Sequence, residues 1–199
     1  KPAKDSWKIT PATTTMVVID MQRTFVARCL GAQEIIPRVN DLAAACRKVK
    51  IPVIFVSQRS EPSDPGLMPQ MRAEATDGEM GTGIGSRGAE FCDGLNVTPA
   101  DFVIPKKRYS ALIPGSSALE PMLRAMGKDT IIICGLATDI CVGATTSDAM
   151  MLGYKVFVLG DVTATFSEER QRVALKVYNS FARVTSFDEV MQELAQLST

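Results

Sequence analysis

Residues Gly135–Val142 read Gly-Leu-Ala-Thr-Asp-Ile-Cys-Val. The apolar run Thr130–Cys134 before them has the pattern of a buried strand, and Ile140–Leu152 after them that of a helix. Cys141 therefore falls just past a strand end, at the mouth of a helix. There the aligned peptide dipoles and unsatisfied N–H groups favour a thiolate. A free thiol, with a pKa of about 8.5, is mostly protonated at neutral pH. The chain contains no histidine. That removes Ser-His-Asp and Cys-His pairs and zinc sites that need imidazole, so a catalytic Cys141 requires a carboxylate as its base.

Two further reactive side chains stand at strand ends. Asp20 closes the apolar run Met16–Ile19, and Lys106 follows Phe102–Pro105. Each has an ordinary alternative. An acid after a strand can serve a turn, and the triplet Lys106-Lys107-Arg108 has the composition of a solvated surface. Cys46 and Cys134 lie inside apolar patterns and read as small core residues. Cys141 does not, because it follows the polar pair Thr138-Asp139. Nothing in local structure requires an acid, an ammonium and a thiol at three separate strand ends.

The elements that must position them alternate between strand and helix. Strands are expected at Met16–Asp20, Pro52–Val56, up to Pro105, Thr130–Cys134, Lys155–Leu159 and Ala182–Thr185. A helix from Pro37 to Lys48 carries Val39, Leu42, Ala43 and Cys46 at helical spacing, with Pro37 at its first position. Ser117-x-x-Glu120, Thr165-x-x-Glu168 and Ser186-x-x-Glu189 read as capping boxes, the first opening a helix to about Met126. Gly153 ends the helix after Cys141, and Val173, Ala174, Val177 and Phe181 share a face of the next. Residues 58–100, rich in Gly, Pro and Met, read as a long lid-like excursion with a short helix. The pattern predicts one α/β domain over residues 1–199, a three-layer α/β/α arrangement around a parallel sheet. In such sheets the ligand lies beyond the carboxyl ends of the strands, where strand order reverses.

Composition limits the alternatives. With 22 basic and 22 acidic residues the formal net charge is zero, which does not support a nucleic-acid footprint. The five cysteines are odd in number and form no Cys-x-x-Cys, so a reducing, cytoplasmic setting is expected rather than a disulfide framework. No apolar run reaches membrane-spanning length, and Lys1–Trp7 lacks the pattern of a signal peptide. Gly83-Ile-Gly-Ser-Arg-Gly88 matches a dinucleotide fingerprint literally, but it does not follow directly behind a strand, so nucleotide binding is not expected.

Three segments carry a family resemblance: Val17-Val-Ile-Asp-Met-Gln22, Lys106-Lys-Arg-Tyr-Ser-Ala-Leu112, and Gly135 through Ala149 continuing over Gly153-Tyr154 to Asp161. In this order they resemble the isochorismatase-like cysteine hydrolases, which include nicotinamidases, N-carbamoylsarcosine amidase and ureidoacrylate amidohydrolase. The similarity spans roughly residues 12 to 190. It implies a Rossmann-like, six-stranded parallel sheet in the order 3-2-1-4-5-6. It implies a catalytic triad of Asp20, Lys106 and Cys141, with Lys106 chosen over Lys107 by its spacing to Ser110. It further implies a cis peptide between Leu136 and Ala137 and an oxyanion hole of the Ala137 and Cys141 N–H groups.

The implied activity is metal-independent cleavage of a C–N bond in a small amide or an N-carbamoyl or ureido compound, through a thioester on Cys141. No cofactor is expected, no membrane or nucleic-acid partner, and a homo-oligomer (dimer or tetramer). Gln22, Gln58, Arg59, Arg87 and Tyr109 lie on segments from which substrate contacts could come. The alternatives are an isochorismatase-type vinyl ether hydrolase, whose members generally lack the Cys, and a non-catalytic oligomeric scaffold. Two departures stand out. Where nicotinamidases hold a metal with one Asp and several His, this chain reads Ser57-Gln-Arg-Ser-Glu-Pro62, so no metal is expected. Arg23 replaces the acid that many members carry before Phe25.

Overall fold

The β-branched runs form six strands: β1 (Thr14–Ile19), β2 (Val53–Gln58), β3 (Phe102–Lys106), β4 (Thr130–Leu136), β5 (Lys155–Ala164) and β6 (Arg183–Thr185). They pair as one parallel sheet in the order β3-β2-β1-β4-β5-β6, the order implied by the resemblance. The computed structural model describes residues 3–75 and 78–197. Lys1, Pro2, Thr76, Asp77, Ser198 and Thr199 lie outside the described residues, and with them parts of the opening segment and of the excursion.

Seven α-helices accompany the strands among the described residues: α1 (Arg23–Val26), α2 (Ala32–Lys48), α3 (Pro69–Ala75), α4 (Leu119–Ala125), α5 (Cys141–Met151), α6 (Glu168–Tyr178) and α7 (Phe187–Gln196). Side chains alternate across the sheet, as strand pleating requires. Met16 and Val18 of β1 join Ile132 and Cys134 of β4 in a core covered by α2 and α7. Val17 and Ile19 join Ile131 and Ile133 in a second core covered by α4, α5 and α6. β1 and β4 are buried along their whole length. β3 is an edge strand with Phe102 and Val103 exposed, and Pro105, which has no N–H to donate, is tolerated there. Among the described residues no helix is long and apolar enough to cross a membrane.

Several local expectations are corrected. Pro37 lies inside α2, because Ile35 and Ile36 extend the buried stripe back to Ala32. Ser117 does not cap α4: its hydroxyl donates to the Ala111 carbonyl and accepts from the Leu119 N–H, and the cap position is Ala118. α6 is capped by Ser167 rather than Thr165, whose hydroxyl instead donates to Asp139. Val173 and Val177 are exposed, and Ala174 and Tyr178 form the buried face of that helix. The box Ser186–Glu189 forms as expected at α7.

Two features bring strand ends together. At the end of β4 a Cβ on Gly135 would lie 2.1 Å from the Ile19 carbonyl oxygen, and its φ is +106°. Only glycine lets β4 approach the end of β1 this closely. Asp20, the next residue after β1, has φ 50°. This left-handed conformation is uncommon for any side-chain-bearing residue, though better tolerated by Asp than by most, and such conformations concentrate at functional sites.

Candidate active site

Asp20, Lys106 and Cys141 converge beyond the carboxyl edge of the sheet, where the chain leaves β1 and β4 in opposite directions. Lys106 reaches there from β3, across β2, fully buried. Its Nζ lies 2.8 Å from Asp20 Oδ2 and 3.4 Å from Cys141 Sγ. It also donates to Gln58 Oε1 at 2.7 Å and to the Arg108 carbonyl at 3.0 Å. An ammonium has three N–H groups, so these four neighbours saturate it and fix its position.

The Asp20 carboxylate is buried against the Lys106 ammonium at 2.8 Å, with the Cys141 thiol and the Gln58 main chain also facing it, although none of these donors meets it at an ideal hydrogen-bond angle. A buried acceptor left unpaired is costly and calls for an explanation. Here the loose pairing leaves the carboxylate beside the one donor whose proton the chemistry must move, the Cys141 thiol. Burial raises the Asp20 carboxyl above the ordinary carboxylate range, against the pull of Lys106. Burial works against the Lys106 charge, but Asp20 and then Cys141 outweigh it and hold the ammonium above its ordinary value.

Cys141 is the first residue of α5 and is 4% exposed. Burial pushes the thiol up, Lys106 opposes this, and Asp20 reinforces it. The other four cysteines are buried as well, with no disulfide.

The loop before α5 is locked on several sides. The Leu136–Ala137 peptide is cis. The Ala137 carbonyl accepts from the Ile140 and Val142 N–H groups, whereas the Ala137 and Cys141 N–H groups have no main-chain acceptor among the described residues. Thr138 donates through its N–H to the Ala164 carbonyl and through its hydroxyl to Gln171. The buried Tyr178 hydroxyl donates to the Thr138 carbonyl at 2.9 Å. That hydroxyl reaches the loop only because residue 143 is glycine, where a Cβ would sit 2.0 Å from it.

Above the thiol is a cavity of about 50 Å³. Asp20, Cys141 and Ala137 reach it, and Phe25, Met71, Tyr109, Ile140 and Phe166 form the rest of its wall. Of the residues expected to touch substrate, only Tyr109 lines it. Gln22 is buried and spent on main chain: its Oε1 accepts from the Gln58 N–H at 2.7 Å, and its Nε2 donates to the Gln58 and Ala89 carbonyls at 3.0 and 2.8 Å. Gln58 is buried and spent on Lys106 and Ser60. Neither lines the cavity; Gln58 accepts from Lys106, and Gln22 braces the main chain of Gln58. Arg87 is exposed and pairs with Glu79 at 3.4 Å; neither it nor Arg59 lines the cavity. Arg23 fastens the excursion through Asp93, both oxygens at 2.5 Å, and Glu90 at 3.3 Å.

The segment after β2 does not fit a nicotinamidase-type metal. Gln58 and Ser60 are tied to each other and, through the Thr82 hydroxyl, to the excursion. Among the described residues no group of His, Cys, Asp or Glu side chains converges in a metal-binding arrangement.

Residues 14–189 match the profile of the isochorismatase domain. The chain is 30% identical over 190 residues to a probable isochorismatase of Pseudomonas chlororaphis, covering 93% of this chain and 88% of that protein. It is 28% identical over 210 residues to the ureidoacrylate amidohydrolase RutB of Pseudomonas syringae pv. syringae, covering 92% and 84%. A crystal structure of a cysteine hydrolase from Pseudomonas syringae pv. phaseolicola superposes with a TM-score of 0.85 at 25% identity, covering 96% of each chain.

Proposed function

The chain belongs to the isochorismatase family, and from that premise we propose that it is a cysteine amidohydrolase, cleaving a C–N bond of a small amide, N-carbamoyl or ureido compound without a metal. The observation that carries this reading is the buried carboxylate beside a buried thiol, both held by one saturated ammonium.

Asp20 takes the Cys141 proton as the sulfur attacks the carbonyl carbon. Its raised proton affinity suits it to do so, since a base works best when its pKa approaches the working pH. The C=O π electrons move onto oxygen, and the oxyanion is received by the Ala137 and Cys141 N–H groups. One such donor is typically worth about 2.7–4 kcal/mol of barrier. As the intermediate collapses the C–N bond breaks, and Asp20 returns the proton to the departing nitrogen, which leaves as ammonia or an amine. Water then gives a proton to Asp20 and attacks the thioester. The C–S bond breaks, the acid leaves, and Asp20 reprotonates the sulfur. Lys106 keeps the carboxylate in place and ionised between steps.

A screen for ammonia release over simple amides, N-carbamoyl amino acids, biuret-like ureides and nicotinamide tests the reading, with isochorismate as the comparison substrate. We expect turnover of at least one C–N class, an acyl adduct on Cys141 by intact mass, and none of either in Cys141→Ala. Consumption of isochorismate alone, or full turnover by Cys141→Ala, overturns it.

A further inference from the structure

We infer that the cavity admits uncharged acyl groups with a compact apolar substituent and excludes those carrying a carboxylate; this rests on the amidohydrolase reading for its chemistry, though not for its test.

Apart from Asp20, Cys141 and the Tyr109 ring, the wall is apolar. Met71 is 1% and Phe25 8% exposed, while Phe166 at the mouth is 38% exposed. Tyr109 and Ile140 are half-buried between them. The cavity of about 50 Å³ holds roughly three to five water-sized occupants at about 10–15 Å³ each, so a short alkyl or small ring portion fills it.

Its three nearby charged side chains point the same way. Asp20 reaches the cavity as a carboxylate, so a second carboxylate would meet a like charge. Lys106 is already committed to Asp20, Gln58 and the Arg108 carbonyl. Arg170 lies against Phe166, with its guanidinium carbon 4.7 Å from the ring centroid, but it is outside the lining and paired to Asp139 at 2.5 Å. A substrate carboxylate would therefore lose its hydration without gaining a partner, which is strongly unfavourable. An apolar substituent gains by the same burial.

The test is a matched pair of electrophiles that require no turnover: iodoacetamide, which is neutral, and iodoacetate, which is anionic. Alkylation of Cys141 is followed by peptide mass mapping of the intact folded chain, and the rate ratio is referred to the same peptide in urea. We expect the neutral-to-anionic ratio at Cys141 to exceed the urea reference at least ten-fold, and Phe166→Arg to bring it back toward the reference. An equal or inverted ratio in the parent overturns the inference, as does alkylation of Cys141 by neither reagent. In parallel, ammonia release is compared between butyramide and succinamate. Preference for succinamate overturns the inference while sustaining the amidohydrolase reading. Turnover of neither, with a high alkylation ratio, upholds the pocket assignment and leaves the amidohydrolase reading to the wider C–N screen.

Discussion

Replacing Asp20 by Asn separates the stability of the site from its chemistry. The substitution is nearly isosteric, removes the base, and strands the buried Lys106 ammonium. At the observed 2.8 Å, an effective dielectric constant near 20 gives an attraction of about 6 kcal/mol. Some is regained through the Asn amide and through partial loss of the lysine proton. Breaking one side of a buried pair accordingly costs about 3–5 kcal/mol. The chain has 199 residues, a size at which each kcal/mol moves Tm by about 2–4 °C, so a fall of roughly 6–20 °C is expected. Burial disfavours a thiolate at Cys141, which works against a replacement charge there. The double variant Asp20→Asn/Lys106→Met removes both charges and keeps the volume, so most of the loss should return, since apolar replacement of a whole buried pair is often neutral or better. Both variants should lose about 10²–10⁴-fold in kcat, the usual contribution of a positioned base. Calorimetry and ammonia release read the two quantities. A single variant as stable as the parent, or a double variant as unstable as the single, would refute the assignment of Asp20 and Lys106 as a mutually dependent buried pair.

Other outcomes follow from the same geometry. Because Asp20 must be ionised to act and its carboxyl is raised by burial, activity should fall with decreasing pH through a midpoint above the ordinary Asp value of about 3.9; a kcat/KM profile flat to below that value contradicts the base assignment. Gln58→Met removes one acceptor from Lys106 without touching the cavity, so kcat should fall about ten-fold, equivalent to about 1.4 kcal/mol, with KM nearly unchanged; a rise in KM alone would return Gln58 to the substrate contacts. Full activity is expected after exhaustive EDTA treatment, and loss restored by one added metal would mean that the site works differently. Gly143→Ala should displace Tyr178 from the Thr138 carbonyl, destabilising the chain by about 1–3 kcal/mol through the unpaired buried groups, read as a lower Tm.

The strands and the placement of Asp20, Lys106 and Cys141 at their ends were legible in short, local patterns, whereas the order of the sheet came from the family resemblance. Thr130–Cys134 could only be a strand buried on both faces, and Asp20, Lys106 and Cys141 each stood where an apolar run stops. The apolar wall was not legible. Phe25, Met71 and Phe166 are hydrophobic in the same way as any core residue, and no periodicity distinguishes a side chain facing a cavity from one facing a neighbour. The hydrogen bonding of Gln22 and Gln58 was illegible for a related reason: spacing places an amide near Asp20 but does not show that its donors and acceptors go to main chain and to Lys106. The caps at Ser117 and Thr165 failed because each hydroxyl found a partner elsewhere, Ala111 and Asp139, which spacing to a later Glu cannot reveal. Pro37 misled the helix start because φ restriction is compatible with a helix interior when flanking isoleucines supply enough burial.

The closure of Asp20 and Lys106 upon each other also governs how a substrate arrives. One carboxylate and one ammonium, 2.8 Å apart and both buried, form a short dipole whose field decays faster than that of a lone charge. The chain as a whole adds no net charge at neutral pH. Electrostatic steering requires a net potential at the mouth of a site, and added salt abolishes it by shortening the Debye length from about 30 Å at 0.01 M to about 8 Å at 0.15 M. A site whose charges cancel internally gives salt little to screen. Encounter is left to free diffusion and the shape of the opening, and its rate stays level across the range of ionic strength over which a charge-guided enzyme would slow.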